Sequence, residues 1–368
     1  MPTLPDSSTA DTSLARRLAG RIAREGPIAF RDFMEAALYD PEYGYYARRA
    51  AIGEGGDFVT SPSISALFAR CVARVFAADA GELGGRIVFC EAAAGNGRFL
   101  RDFRAALETM APEVSRRTAL AAIERSAGAR AAIEQSRLAE RVVADVSELA
   151  GERFDGWVFS NELYDALPVH RVRLSEGRLL ELGVAVSAEG GFEWTAAPAL
   201  PELSEYLARF EVVLDEGQIG EINLAAAPLH RALGRLLRRG RLVAFDYGHR
   251  ASVLYHPAAR SRGTLAVHAG GRRGGDPLER PGEVDLTAHV NWDDLAAAGE
   301  AEGFAATERL RQSEFLMRAG LFEDAGAARP IDAHRLFDPE GLGDDLSVLL
   351  QSKGMRPLVN SFTLTSPR

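Results

Sequence analysis

Three acidic residues lie at the ends of short apolar runs in the middle of the chain. The runs are RIVFCEA, ALAAIE and RVVADV, and the acids are Glu91, Glu124 and Asp145. Because helical stretches separate these continuous apolar runs, the pattern predicts buried parallel strands joined by crossover helices. Open sheets of this kind bind ligands at the carboxyl ends of their strands. The three acids therefore predict a polar binding site at one edge of the sheet.

A glycine-containing turn, Glu91-Ala-Ala-Ala-Gly95-Asn-Gly97, joins the first strand to a helix. Glycines allow a ligand to approach the backbone, and a helix N-terminus offers free N–H groups. A dinucleotide fingerprint would require a third glycine at Leu100, and no Walker lysine follows the turn. The pattern thus favours an adenosyl ligand without phosphates, such as S-adenosylmethionine (SAM). We expect Glu124 to accept the ribose hydroxyls and Asp145 to meet the adenine amino group.

The richest stretch in reactive side chains is SNELYDALP, residues 160–168, which follows the fourth predicted strand. Asn161, Glu162 and Asp165 leave the sheet there, beside the place expected for the sulfonium of SAM. We interpret Glu162 and Asp165 as candidate catalytic carboxylates and Asn161 as a residue that binds the cofactor or positions the acceptor. A capped turn, with Asp165 as its Asx or N-cap residue, is the structural alternative.

The alternation of strands and helices begins near residue 86 and includes a fifth strand, RLVAFDYG. It predicts an α/β fold with a Rossmann-like sheet. The expected organisation is a flexible arm over 1–13, a helical portion over 14–80 and a core over 81–368. A β-rich segment at about 172–223 does not fit the alternation, so we interpret it as an insertion in the core.

Composition limits the classes of partner. The chain has 43 basic and 52 acidic residues, a net charge of −9, which argues against nucleic acid as the main partner. No apolar run reaches the ~18 residues that a membrane span needs. The only two cysteines, Cys71 and Cys90, lie in apolar runs without zinc-ligand spacing, so we predict buried thiols and no metal site. Without a signal-peptide core, we expect a cytoplasmic protein.

Seven motifs occur in order between Gly26 and Trp292. They are GPIAFRDFMEAALYDPEYGYY, IGEGGDFVTSPSIS, EAAAGNG, NELYDALPV, FDYG, LYHP and DLTAHVNW. In these motifs the chain resembles the MidA-like family of SAM-dependent methyltransferases, which includes a mitochondrial complex I assembly factor that methylates a protein arginine. The resemblance implies a seven-stranded class I methyltransferase core with an N-terminal helical portion, and a protein acceptor such as a respiratory complex subunit.

The resemblance also implies that the GGDFVTSP loop, Gly55 to Pro62, folds over the cofactor. We therefore add Phe58 and Thr60 to the predicted cofactor contacts and Asp57 as a third candidate catalytic carboxylate. Tyr45, from the motif before this loop, is a candidate for binding the substrate.

One residue departs from the family pattern, which usually has glycine where this chain has Ala93. If that position requires a positive φ, alanine costs on the order of 1 kcal/mol. Two other functions stay open, of which the second rests on Ala93. One is methyl transfer to a small-molecule nitrogen or oxygen, with Asp246, Tyr247 and His289 lining the pocket or acting as base. The other is an assembly chaperone that binds SAM weakly or not at all.

Overall fold

The computed structural model describes residues 13–50, 65–269, 272–324, 330–338 and 346–358. The helices are α1 Ser13–Glu25, α2 Phe30–Tyr39, α3 Tyr45–Ala50, α4 Ala66–Ala80, α5 Arg98–Met110, α6 Pro112–Arg117, α7 Ala127–Ser136, α8 Pro201–Arg209, α9 Ala226–Arg235, α10 Ala251–Leu254, α11 Trp292–Ala301, α12 Gln312–Arg318, α13 Leu321–Asp324 and α14 Pro330–Phe337. The strands are β1 Ile28–Ala29, β2 Ile87–Ala92, β3 Thr118–Ile123, β4 Arg141–Val143, β5 Phe154–Asn161, β6 His170–Ser175, β7 Arg178–Val186, β8 Phe192–Pro198, β9 Ile219–Ile222, β10 Leu237–His249, β11 Ala266–Ala269, β12 Arg272–Arg273, β13 Asp285–Thr287, β14 Val290–Asn291, β15 Ala306–Arg311 and β16 Leu346–Lys353.

The chain divides into two compact units. Unit one comprises Met1–Phe58, Ala166–Leu224 and His249–His289, and unit two comprises Val59–Asp165, Ala225–Gly248 and Val290–Arg368. This division differs from the boundaries expected from the sequence. The β-rich segment predicted as an insertion in the core belongs with the N-terminal helices α1 to α3, because β1 pairs with β7. Helix α4, predicted as part of the N-terminal portion, belongs to unit two.

Unit two contains the Rossmann-like sheet, with strand order β15-β16-β10-β5-β2-β3-β4 and the short β14 paired to β10. Strands β4, β3, β2, β5 and β10 run parallel to one another, and β16 is antiparallel to its neighbours β10 and β15. This path of seven strands confirms the predicted α/β class. The order reverses between β2 and β5, so the connections leave these two strands towards opposite sides of the sheet.

Aromatic side chains fix the central strands of this sheet against helices α4 and α5. The Phe89 ring on β2 stacks on Phe103 of α5 with centroids 3.9 Å apart, and Phe99 stacks on Phe159 of β5 at 4.6 Å. The Phe68 ring of α4 meets the Phe99 and Phe159 rings at tilted angles and the Phe245 ring of β10 edge-on. Stacked and edge-to-face pairs add to the free energy of apolar burial, so the strands that end at the switch point are held firmly.

Unit one has its own antiparallel sheet, of order β1-β7-β6-β9, with β8 added beside β7. Strands β11, β12 and β13 form a separate three-stranded sheet. A hydrophobic core of its own joins α1 and α2 to these strands, with Leu14, Leu18, Phe30, Phe33, Val184 and Leu286 among its buried members. The periodicity of the two helices predicts this buried face, since their apolar residues recur every three or four positions.

The last strand that the structure describes in this sheet is β16, at Leu346–Lys353. Val348, Leu349 and Leu350 of β16 are buried between β10 and β15, which explains their apolar character. In the described part of the chain, no helix combines the length and the hydropathy that crossing a bilayer requires.

Candidate active site

The candidate site lies at the switch point of the unit-two sheet. Strands β2 and β5 are parallel neighbours there, with Ala92 opposite Ser160 in the register. The loop after β2 and the turn after β5 therefore leave the sheet side by side, where α/β sheets bind ligands. Strand β10 continues this edge, with Phe245 opposite Asn161.

The loop after β2 has three left-handed residues, Ala93 (φ 59°), Gly95 (φ 53°) and Gly97 (φ 76°). The Ala93 N–H donates to the carbonyl of Ile123 at 2.8 Å, which ties the loop to β3. A Cβ built on Gly95 meets nothing within 4 Å, so that residue leaves open space beside the backbone. Ala93 thus does occupy a position that favours glycine, and its exposed methyl group places the cost in the backbone rather than in packing.

We expect Ala93→Gly to stabilise unit two by up to about 1 kcal/mol, since relief of the left-handed alanine outweighs the added chain entropy of glycine. SAM affinity should rise modestly. Thermal unfolding and titration calorimetry measure the two effects. Ala93→Val is the matched opposite, because a β-branched side chain tolerates positive φ less well. An Ala93→Gly protein less stable than wild type would contradict the argument.

Glu124 directs its carboxylate back at the same loop. Its Oε2 accepts from the N–H of Gly95 at 2.8 Å, and its Oε1 accepts from the N–H of Ser126 at 2.7 Å. Burial raises the pKa of Glu124, while these two backbone hydrogen bonds act in the opposite direction. A carboxylate has about four lone-pair positions, so two remain for the ribose hydroxyls assigned to it from the sequence.

For Glu124→Ala we expect at least a tenfold loss of SAM affinity, because charge-assisted hydrogen bonds contribute about 1.5 to 3 kcal/mol each. The variant also removes the acceptor for Gly95 and so loosens the loop. Calorimetric titration with SAM measures the loss, and Glu134→Ala on the exposed face of α7 is the control. Wild-type affinity in Glu124→Ala would place the ribose elsewhere.

Glu91 ends β2 with a side chain that is only 3% exposed. Its buried Oε2 has no hydrogen-bond partner among the described residues. Burial and, to a lesser extent, the charge of Glu124 raise the pKa of Glu91 well above its usual range. A buried carboxyl oxygen without a partner is costly, so the position fits a ligand that brings a donor. The ammonium group in the amino-acid portion of SAM is such a donor.

Asp145 has a structural task in the described chain. It is the N-cap of a short 3₁₀ helix over Val146–Leu149, and its Oδ1 accepts from the N–H of Ser147 at 2.8 Å. Hydrogen bonds from Ser147 hold the pKa of Asp145 below its ordinary value. Its side chain is exposed, so the contact with adenine stays a prediction.

The turn after β5 contains Glu162 in a left-handed conformation (φ 51°). The N–H of Glu162 donates to the Phe245 carbonyl at 2.8 Å, and the Asn161 amide donates to Glu162 Oε1 at 2.9 Å. The buried Oδ1 of Asn161 has no partner among the described residues and is available to a ligand donor. Asp165, the other predicted carboxylate, is 3% exposed, and its catalytic role stays a prediction.

Asp246 is 0% exposed and is bound to the backbone of the turn after β5. Its Oδ2 accepts from the N–H groups of Leu163 at 3.1 Å and Tyr164 at 2.7 Å, and its Oδ1 accepts from that of Tyr247 at 2.9 Å. Burial raises the pKa of Asp246 to about 7, with a further increase from nearby Glu162, against the backbone hydrogen bonds that lower it. Asp246 thus supports the turn, and its role in substrate binding stays a prediction.

A buried polar chain behind this turn was not predicted. The Tyr164 hydroxyl lies 2.7 Å from His230 Nδ1, and His230 Nε2 lies 2.7 Å from Gln351 Oε1. Burial lowers the pKa of His230 to about 4, so the ring is neutral at physiological pH. The only signal in the sequence is a histidine on the apolar face of a helix, which does not reveal its partners.

The remaining predicted residues are two residues of unit one, Tyr247 of β10, and the residues of the covering loop. Tyr45 and His289 belong to unit one, where Tyr45 is buried and the His289 N–H donates to Thr264 Oγ1 at 3.1 Å. Burial lowers the pKa of His289 to about 3, with further contributions from basic neighbours. Tyr247 is half-buried on β10. The predicted covering loop, with Asp57, Phe58 and Thr60, lies outside the described residues.

Residues 67–309, more than half of the chain, match the family described as S-adenosyl-L-methionine-dependent methyltransferases. The chain belongs to this family. A solved structure with 30% identity agrees: a protein from Burkholderia thailandensis bound to S-adenosyl-homocysteine. The two share a TM-score of 0.84, and the match covers 98% of this chain and 97% of that one. SAM is therefore the cofactor of this methyltransferase, and the MidA-like resemblance is confirmed.

Two curated relatives are each 25% identical to this methyltransferase. The protein arginine methyltransferase NDUFAF7 homolog, mitochondrial, of Drosophila melanogaster aligns over 79% of this chain and 71% of its own length. The human protein arginine methyltransferase NDUFAF7, mitochondrial, aligns over 84% and 74%. Both names place the relatives in mitochondria, so the expectation of a cytoplasmic location is wrong.

Proposed function

We propose that this methyltransferase transfers the methyl group of SAM to an arginine side chain of a partner protein. The observation that carries the proposal is Glu162 at the switch point of the sheet, whose carboxylate accepts a hydrogen bond from the Asn161 amide and whose backbone N–H donates to the Phe245 carbonyl. The names of the relatives, protein arginine methyltransferases, support the same acceptor. A respiratory complex subunit is the partner that the family resemblance implies.

Bound SAM would supply an electrophilic methyl group, whose carbon the acceptor nitrogen attacks in line with the C–S bond, so that S-adenosyl-homocysteine leaves as the N–C bond forms. The protein's part is to hold donor and acceptor in that line and to exclude water. Glu91 and Glu124 are placed to bind the amino-acid portion and the ribose. The loop from Ala93 to Gly97 lets the ligand approach the backbone.

An arginine acceptor makes a specific demand on the acceptor side. Its guanidinium is planar, charged and delocalised, so its nitrogens are poor nucleophiles. A fixed carboxylate binds two N–H groups of one guanidinium edge, localises the positive charge and orients the attacking nitrogen. Glu162 meets this demand because the Asn161 amide donates to its carboxylate, while the Phe245 carbonyl accepts from its backbone N–H and so holds the backbone of the turn. A left-handed non-glycine residue at this point adds backbone strain of the kind that functional sites retain.

Incubation of the protein with methyl-labelled SAM and a lysate of its host tests the proposal. We expect the label in protein, and acid hydrolysis followed by amino-acid analysis should recover it as methylated arginine. Mass spectrometry of the labelled protein then identifies the acceptor, including any respiratory complex subunit. Glu124→Ala serves as the control with weakened SAM binding. Label recovered in a small molecule, or in another amino acid, would contradict the proposal.

A further inference from the structure

The buried chain behind the turn after β5 has a defined hydrogen-bond direction. The Gln351 amide donates to the Ala296 carbonyl at 2.9 Å and to Thr307 Oγ1 at 3.0 Å, so its oxygen faces His230. A carbonyl can only accept, which fixes the orientation of the amide. His230 Nε2 must then donate to Gln351, and its Nδ1 accepts from the Tyr164 hydroxyl.

Burying the hydrogen-bonded side chains of Tyr164, His230 and Gln351 costs desolvation free energy that apolar side chains would not. The side chains of Tyr164, His230 and Gln351 are all 0% exposed. A satisfied buried network adds little net stability compared with apolar side chains of the same shape. It does restrict orientation, because each polar group is satisfied in only one arrangement. These hydrogen bonds link the turn after β5 to α9 through His230 and to β16 through Gln351. The Gln351 amide extends the link to α11 and β15.

The same turn is held from another direction by Asp246. Its carboxylate accepts from the backbone N–H groups of Leu163 and Tyr164. Tyr164 is thus bound at both ends: its amide by Asp246 and its hydroxyl by His230. Glu162 lies two residues before Tyr164 and directly after the end of the rigid strand β5. The turn therefore has little freedom to rotate Glu162 away from the sheet edge.

We propose that Tyr164, His230 and Gln351 are positioning residues for methyl transfer, which together with Asp246 fix the direction in which Asn161 and Glu162 face the acceptor. The inference rests on the proposed function in one respect: it takes Glu162 as the residue that orients the methyl acceptor. A displacement of about 1 Å at a reacting group is enough to cost up to 10²-fold in rate. We call the hydrogen-bonded set of Tyr164, His230, Gln351 and Asp246 the frame of the turn. Loss of this frame should therefore slow the reaction without removing any group that binds SAM.

A substitution at Gly299 on α11 can disturb the frame without changing any residue of the turn. A Cβ at this position would lie 2.0 Å from Gln351 Oε1 and 2.4 Å from its Cδ. The Gln351 amide must move to admit alanine, and His230 then loses its acceptor. Gly299→Ala therefore disturbs the turn through the frame, although Gly299 is not part of the turn. Alanine is otherwise the better helix former.

The test compares Tyr164→Phe and Gly299→Ala with two matched controls. Ser352→Ala also removes a buried hydrogen bond, with Arg241, from the residue next to Gln351 on β16. Gly20→Ala changes a helical glycine whose added Cβ meets only Arg24, at 3.7 Å. Three quantities are measured: total label transferred from SAM to lysate, the Kd of SAM by calorimetry, and hydrogen exchange of the peptide covering 161–165.

We expect both frame variants to transfer label about tenfold to 100-fold more slowly, with the Kd of SAM changed less than about threefold. Exchange of the Leu163 and Tyr164 amides should accelerate. The controls should keep wild-type exchange in this peptide and at least about half of the wild-type rate, even where Ser352→Ala lowers the Tm.

Wild-type rates in Tyr164→Phe and Gly299→Ala, or unchanged exchange over 161–165, would overturn the positioning role. Equal losses in Ser352→Ala would also overturn it, since a general loss of stability would then explain the rates. Total label is counted whatever the acceptor, so a non-arginine acceptor would refute the proposed function and leave this test valid. If wild-type protein transfers no label, the exchange measurement alone decides.

Discussion

The Glu162→Gln variant is expected to bind SAM with nearly wild-type affinity and to transfer methyl groups about 10² to 10³ times more slowly. Glutamine keeps the shape of the side chain but loses the charge that localises the guanidinium. The Asn161 amide, which donates to Glu162 Oε1 at 2.9 Å, can still donate to the glutamine oxygen, so the turn should persist. The loss should therefore fall on the chemical step rather than on binding.

Single-turnover label transfer and calorimetric titration with SAM separate these two effects. Glu211→Gln is the matched control, because Glu211 is also a glutamate with positive φ (54°) but is exposed and belongs to unit one. Joint loss of SAM affinity and turnover in Glu162→Gln would place Glu162 in the cofactor shell and shift the catalytic role to Asp165 or Asp57. An unchanged rate would mean that the turn is only a structural cap.

The acids at the strand ends could be predicted because their positions depend on local patterns. Glu91 and Glu124 follow continuous apolar runs, and the fold places the ends of such runs at one sheet edge. The glycines at 95 and 97 also follow from local rules, since both have the positive φ that glycine permits. In each case the sequence within about ten residues is sufficient.

What the sequence could not reveal depends on contacts between distant residues. The pairing of β1 with β7 joins residues about 155 positions apart, and it is this pairing that unites the N-terminal helices with the β-rich segment. Likewise, His230 and Gln351 are 121 positions apart, and neither carries a local signal for the other. The burial of Asp246 and its bonds to the backbone of the turn also became visible only in three dimensions.

The largest effect on stability is expected for a buried ion pair in unit two. Asp79 of α4 and Arg241 of β10 are almost fully buried, with Arg241 Nη2 2.8 Å from Asp79 Oδ1 and a second contact through Nε. The Trp157 indole N–H donates to Asp79 Oδ2 at 3.0 Å, and Arg241 also binds Ser352. Asp79→Leu should lower the free energy of unfolding by about 3 to 5 kcal/mol, because it leaves a buried guanidinium without its counter-charge.

The double variant Asp79→Leu with Arg241→Met should recover most of that loss, since it removes both charges and refills the space with apolar atoms. Urea unfolding followed by tryptophan fluorescence measures all three proteins, and equal m-values would show that the same surface unfolds in each. Arg241 lies towards the amino end of β10, whereas the candidate SAM site lies at the carboxyl ends of the strands. The SAM affinity of the folded double variant should therefore stay close to wild type. If the double variant were as unstable as Asp79→Leu alone, the cost would come from lost packing and from the Trp157 hydrogen bond rather than from an uncompensated charge.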